Sequence, residues 1–398
     1  MLGKNYASLE DFKRACEHDR VELDSRSVLS KIYSIDQLRH IAKWLQVDIQ
    51  HAIAKESRGI NRRYDVANAI ADARNTEQIG QCLSHIDHRF YFPVLTYLRI
   101  SDIEQSPSPQ ALLTYLRRVK NKALSNSDFE PYGNGMIRPP GRYCQLESVH
   151  IPNSTDSIIS LLFSCTRVLI IPGGQPGSFE HFFLTRIPVI VRILYRYGLV
   201  EVTMPIFSEP ACIPSDSSHR LPDKYQVINL STRSALVNIV PYQLRPVNFP
   251  QVTLYLETCV GAVDMGWRIE PLREAEFDLT QGTIPLKKIL TSFSESLRDE
   301  CSKQGLVHPL TEIDIYQVFR ALKEQSYTYS FVLDAPLGHR EENILLQTFY
   351  GPPNSGYDPV LLIPKFASIV EKVREVIQQS QIVNITNPYN LKSLLSQV

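Results

Sequence analysis

Cys82-x-x-His85-x-x-His88 places three metal-type ligands within two helical turns. Zinc asks for a fourth ligand or an open water position in tetrahedral geometry. No matching Cys/His pair stands nearby, so the pattern reads as a buried Cys with two surface His near a helix end, and no metal is assigned. Ile170-Ile-Pro-Gly-Gly-Gln-Pro-Gly-Ser178 runs from a strand-like stretch through a Gly-rich turn into helix-like sequence. Free N–H groups at such a helix start can hold an anion. The segment has neither GxxxxGK[ST] nor GxGxxG, and no Lys follows its glycines to reach a phosphate. It reads as a sharp Gly/Pro loop, and no cofactor is implied.

Acid/base and nucleophilic chemistry are no better served. Glu274, Glu276 and Asp278 cluster, as do Asp334, His339, Glu341 and Glu342. Each set reads equally as a solvated face or loop. Gly177-Ser178 lacks the second glycine of a nucleophile elbow, and the nearest imidazole, His181, falls on the same expected helix. Pro222-Asp-Lys224 carries only the opening letters of a nuclease-type carboxylate and lysine set.

Two basic clusters remain. Arg58, Arg62 and Arg63 precede or open an expected helix, where side chains and free N–H groups together can approach phosphate. Arg117, Arg118, Lys120 and Lys122 lie near the end of another, where cations also complement the helix dipole. The stretch Ser34–Asp48, a connector, and Gly59–Ile70 is similar to small helix–extended–helix modules such as the SAP domain. That resemblance covers about 40 residues and implies a basic second helix that touches DNA or RNA. Death-fold interaction modules share the same loose pattern and imply a protein partner instead.

The elements that must position these residues fall into two groups. Ser34-Ile-Asp-Gln37 forms a capping box ahead of Ile35, Leu38, Ile41, Ala42 and Leu45 at helical spacing. A second helix fits 62–74, with Val66, Ala67, Ile70 and Ala71 on one side. Asn75-Thr-Glu-Gln78 is another capped start, leading into Ile79, Cys82 and Leu83. The spacing predicts further helices over 94–100 and 111–124. Residues 1–125 thus read as a helical module, and the Gly- and Pro-rich 126–143 as a linker.

From residue 144 to 398, strands and helices mix, in one domain or two subdomains. Strand-like runs fall at 167–171, 199–207, 225–230 and 252–260, and 179–197 is apolar enough for a buried helix that Pro188 would kink. Helices are predicted over 283–304, 312–324 and 365–379. Residues 327–333 and 343–350 read as paired strands. Strands and helices do not alternate as in a Rossmann sheet. The expected class is α+β, an all-helical N-terminal domain followed by a larger, mostly antiparallel α+β domain.

Bulk properties narrow the function. Forty-two basic and 42 acidic side chains cancel, which argues against a surface built wholly for a polyanion. Residues 1–142 hold 21 basic against 17 acidic side chains and the remainder 21 against 25, so polyanion binding points to the first third. Seven widely spaced Cys without a CxxC pair suggest reduced thiols. The polar N-terminus and the charges inside the most apolar stretches suggest an intracellular, non-membrane protein of cytoplasm or nucleus. The reading is a non-enzymatic binding or adaptor protein. Its helical module would contact DNA, RNA or a protein partner, and its α+β domain would serve as scaffold or homo-oligomerisation unit. The alternatives are an enzyme using carboxylates and His from α+β loops, and a helical interaction module recruiting the chain to an assembly.

Overall fold

The computed structural model describes residues 21–22, 24–54, 60–101, 110–112, 114, 129–131, 137–138, 144–150, 158–171, 181–207, 211–212, 224–237, 239–240, 242–247, 251–252, 255, 263–269, 299, 302–304, 326–337, 340–349, 360–363 and 366–382. The chain forms two compact units, Met1–Arg245 and Pro246–Val398. Helices and antiparallel strands make it α+β.

The first unit opens with a short strand, β1 (Val21–Glu22), paired with β4 (Ile137–Arg138). Helix α1 (Ser25–Ile32) starts at Asp24, whose carboxylate accepts from the Arg26 and Ser27 N–H groups. Helix α2 (Ile35–Leu45) has the expected capping box. The Ser34 N–H donates to Gln37 Oε1 at 2.9 Å, and the Gln37 N–H donates back to Ser34 Oγ at 3.3 Å. It ends at Gln46 in a left-handed conformation, φ 54°. Arg74 covers that end, donating from Nε and a terminal nitrogen to Leu45 O at 3.0 and 2.8 Å. A short α3 (Gln50–Ala54) precedes α4 (Ile60–Ala73) and the capped α5 (Thr76–Ile86), which runs into a 3-10 turn at Asp87–Arg89. Leu38, Ile41, Val66, Ala67, Ile70, Ile79, Cys82 and Leu83 are buried, one apolar stripe per helix, as the 3.6-residue period requires.

Against these helices lies an antiparallel sheet in the order β2-β8-β7-β6-β5-β3. Its strands are β2 (Val94–Ile100), β3 (Phe129–Pro131), β5 (Gln145–His150), β6 (Ile158–Ile171), β7 (His181–Leu194) and β8 (Leu199–Met204). Strands β9 (Ala211–Cys212) and β10 (Leu244–Pro246) pair with β6 and β2. The centre is the β6–β7 hairpin, paired from Ile158↔Leu194 to Ile171↔His181. The register alternates side chains between two faces. One carries Ile187, Val189, Val191, Leu161, Phe163, Val200 and Val202, all buried. The other carries Arg186, Arg192, Ser160, Glu201 and Thr203, equally buried. Helix α6 (Lys224–Val237) packs against β6 and β9.

Several sequence expectations of secondary structure fail here. Residues 94–100 are strand, not helix: Val94 to Leu98 are all buried, and a segment sealed on both faces shows neither period clearly. The expected helix at 179–197 is β7, for the same reason, and its run of β-branched residues suits a pleated surface. Pro188 does not kink a helix; it sits opposite Ser164, just past the residues that β8 pairs, where a strand can lack an N–H. Conversely 225–230, read as strand, belongs to α6, and Val252 and Tyr255 are helical within the 252–260 region read as strand. Residues 126–143, read as linker, include β3 and β4.

The second unit holds an antiparallel meander, β11 (Val263–Ile269), β12 (Ser326–Leu337), β13 (Arg340–Phe349) and β14 (Val360–Leu362). The expected pairing of 327–333 with 343–350 is present and longer, since the ladder runs from Thr328↔Phe349 to Leu337↔Arg340. Helix α7 (Phe366–Ile382) follows, burying Phe366, Ile369, Val373, Val376 and Ile377. Most of 283–304 and all of 312–324 lie outside the described residues. Among the described residues, no helix is long and apolar enough to cross a membrane.

Candidate functional site

Among the described residues, the densest concentration of ionisable groups lies in the first unit, between the helices and the polar face of the sheet. Arg186 on β7 is fully buried and makes four hydrogen bonds. Its Nε and one terminal nitrogen donate to Glu147 Oε2 at 3.1 and 2.9 Å. The other terminal nitrogen donates to Asp87 Oδ2 at 2.8 Å and to the Tyr33 hydroxyl at 2.9 Å. Tyr33 OH in turn donates to Asp87 Oδ2 at 3.0 Å, and Ser84 Oγ donates to Glu147 Oε1. The side chains of Arg186, Asp87 and Glu147 are each 0% exposed. Such charges persist in a core only when paired and hydrogen-bonded.

A backbone irregularity makes this arrangement possible. In the β5–β6 ladder Leu146 faces Phe163 and Ser148 faces Leu162, so Glu147 is the extra residue of a β-bulge. The bulge turns both Glu147 and Ser148 toward the helices, where strict alternation would send one away. Ser148 Oγ donates to Ser84 O at 2.8 Å and lies 2.8 Å from His88 Nε2. With its own proton on Ser84, the serine accepts the Nε2–H, which leaves His88 Nδ1 to accept from Ser160 Oγ at 2.8 Å. That is a neutral imidazole. Burial pushes its pKa well below the ordinary value, with His150 and Arg192 adding to the effect.

Next along the face, Arg192 donates to Glu201 Oε1 at 3.1 Å and to the carbonyls of His88 and Phe90 at 3.3 and 2.6 Å. Tyr97 OH donates to Glu201 Oε2 at 3.0 Å. The chain Tyr33–Asp87–Arg186–Glu147–Ser84 therefore joins the α1–α2 junction, the end of α5, β5 and β7. One feature stays unbalanced. Asp87 Oδ1 is buried and has no donor among the described residues. Burial raises the Asp87 carboxyl to about 6, because desolvation outweighs Arg186 and the nearby Glu147 adds repulsion.

The charged groups are sealed from solvent and pair with one another. Their chemistry is cohesive: it fixes the helical layer on the sheet. Arg192 and Glu201 are among the charges that interrupt the most apolar stretches of the sequence. Arg186 and Arg192, six residues apart on a strand, necessarily share a face, and that spacing was the available signal.

The residues singled out from sequence fall elsewhere. Cys82 and His88 are buried and His85 is half-buried, its ring 5.8 Å from that of Trp44. His88 is occupied by its two serines. Among the described residues no group of three or more His, Cys, Asp or Glu is disposed to hold a metal. Arg62 and Arg63 stand in the first turns of α4, half-buried, with no hydrogen-bond partner for either Nε. Arg58, Arg117, Arg118, Lys120 and Lys122 lie outside the described residues, as do Glu274, Glu276, Asp278, His339 and most of the Gly-rich 170–178 segment. Asp334, Glu341 and Glu342 belong to the β12–β13 ladder. Sequence reading passed over the exposed aromatics Trp44, Tyr64 and Tyr91.

No family model, curated protein or solved structure matches this chain.

Proposed function

We propose that this is a non-catalytic binding protein whose helical layer meets an anionic, ring-bearing partner, single-stranded nucleic acid foremost, while the sheet acts as scaffold. The observation that carries the reading is Arg62-Arg63-Tyr64 at the start of α4. Other cations of this layer are engaged: Arg26 with Asp72, Arg39 with Asp36, and Arg74 with the carbonyls at the end of α2. Among the described residues Arg62 and Arg63 have no ion-pair partner, their Nε atoms are buried without an acceptor so that the terminal guanidinium nitrogens are the donors left for a ligand, and the first turn of α4 contains no acid. A phosphate there would gain two guanidinium groups and the positive end of a helix dipole. Tyr64, exposed beside them, offers a face on which a base can stack.

The test is a salt titration of binding to single-stranded RNA and to duplex DNA, with the Arg62→Ala/Arg63→Ala double variant alongside. Phosphate contact predicts affinity that falls steeply with salt. The variant's log–log slope on the single strand should be shallower by roughly 1.4, about 0.7 for each phosphate that is no longer neutralised. No binding by the wild-type chain at low salt refutes the nucleic-acid reading. A protein partner is the second reading, favoured by Trp44, which is 42% exposed on α2. Large exposed aromatics are characteristic anchors of protein interfaces, and Trp44→Ala should then abolish capture of that partner while leaving the fold intact.

A further inference from the structure

Wide sequence spacing hides a pair of cysteines that the sheet brings together. Gln145 on β5 faces Ser164 on β6, so the next opposed positions along the ladder are Cys144 and Cys165. Their sulfurs lie 2.8 Å apart as thiols. Directly opposed residues on antiparallel strands have Cα atoms about 4.5–5.5 Å apart, within the roughly 4.4–6.8 Å that a disulfide spans. Closing the bond therefore needs less than about 1 Å of sulfur movement and no shift of backbone. Both sulfurs face α6, where Thr232 Oγ1 stands 3.6 Å from Cys144 Sγ and 3.8 Å from Cys165 Sγ. Thr232 spends its own proton on Ile228 O at 2.8 Å, so its lone pairs are left to accept from the thiols.

We propose that Cys144 and Cys165 form a modification site, a cross-strand dithiol that peroxide-class oxidants convert to a disulfide. Cys144 is half-buried and Cys165 fully buried, which sets the order of events. The Cys144 thiol gives up its proton and the thiolate attacks one peroxide oxygen; the O–O bond breaks, and the departing hydroxide takes up that proton as water, leaving a sulfenic acid on Cys144. Cys165 sulfur then attacks the Cys144 sulfur, the S–O bond breaks, and the departing hydroxide takes up the Cys165 proton as a second water. The two thiols lose two electrons together, and the peroxide is reduced to two waters. The product staples β5, the strand of the Glu147 bulge, to β6.

The experiment treats the full chain with hydrogen peroxide under native conditions, quenches with acid, alkylates in denaturant and maps unreduced peptides by mass. The expected product is a peptide pair joining Cys144 to Cys165, lighter by two hydrogens and restored by dithiothreitol. Cys82, buried in the helical layer, should stay alkylatable. Cys144→Ser should abolish the linkage and leave Cys165 alkylatable. Should that variant misfold, the wild-type chain treated with diamide, which oxidises paired thiols, must give the same linked peptides. Full alkylation of both residues after oxidation overturns the proposal. So does Cys144 carried to sulfinic acid without linkage, or joined to any other cysteine.

Discussion

Arg186 and the Arg62–Arg63 pair lie in the same unit under opposite conditions. Arg186 has no exposure, four hydrogen bonds and two carboxylates around it. Arg62 and Arg63 sit half-buried at a helix start, with no ion-pair partner among the described residues and with each Nε buried and unpaired. Burial decides what an arginine must do. A guanidinium in the core is tolerable only inside a satisfied network, so its partners are internal and its contribution is cohesion. A guanidinium near the surface can keep its donors for something arriving from outside. Under the proposed reading, uncommitted charge rather than concentrated charge marks the binding face of this chain.

The comparison can be broken most forcefully at Arg186. Arg186→Ala leaves Asp87 and Glu147 buried without their cation, and the first unit should lose about 3–5 kcal/mol. Denaturant unfolding measures it, and a loss below about 1 kcal/mol would sink the cohesive role. Acidity gives the next largest effect. The Asp87 carboxyl titrates at about 6 in the folded chain against an ordinary 3.8, so the folded state holds that proton more tightly. Its stabilising contribution is complete below the ordinary value and is lost as pH rises through about 6. Wild type should thus gain stability between pH 7 and pH 4 relative to Asp87→Asn, and parallel curves for the two would refute the assignment.

Smaller effects sharpen the contrast. Tyr33→Phe removes a hydroxyl that both accepts from Arg186 and donates to Asp87, and should cost about 1–2 kcal/mol in the same unfolding assay. Arg62→Ala/Arg63→Ala should change stability by less than about 0.5 kcal/mol while flattening the salt dependence of binding. A double variant that unfolds the unit would make these arginines cohesive as well.

What could be read in advance was local. The capping boxes at Ser34 and Asn75 place donor and acceptor three residues apart, and both are formed as written. The β12–β13 pairing and α7 were equally legible, from alternation and helical period. The central sheet was not, because β2 and β7 are buried on both faces and so lose the polar/apolar rhythm that distinguishes strand from helix. The polar network depends on pairings up to 153 positions apart, as between Tyr33 and Arg186, and on a bulge that no spacing rule announces. Cys144 and Cys165 look unrelated until a register sets them side by side. Arg62 and Arg63 were named from their place at a helix start, but only the fold shows that each Nε is buried and unpaired.

The bulge at Glu147 has a consequence for how this chain tolerates editing. Deleting one residue from a strand ordinarily turns every later side chain to the wrong face. Here Leu146 and Ser148 already oppose consecutive residues of β6, Phe163 and Leu162. Removing Glu147 outright would leave a regular ladder with every neighbour facing as before. The carboxylate is an insertion laid over an intact strand. The shortened chain should keep its pairing, lose a partner of Arg186, and free Asp87 of the nearest competing negative charge.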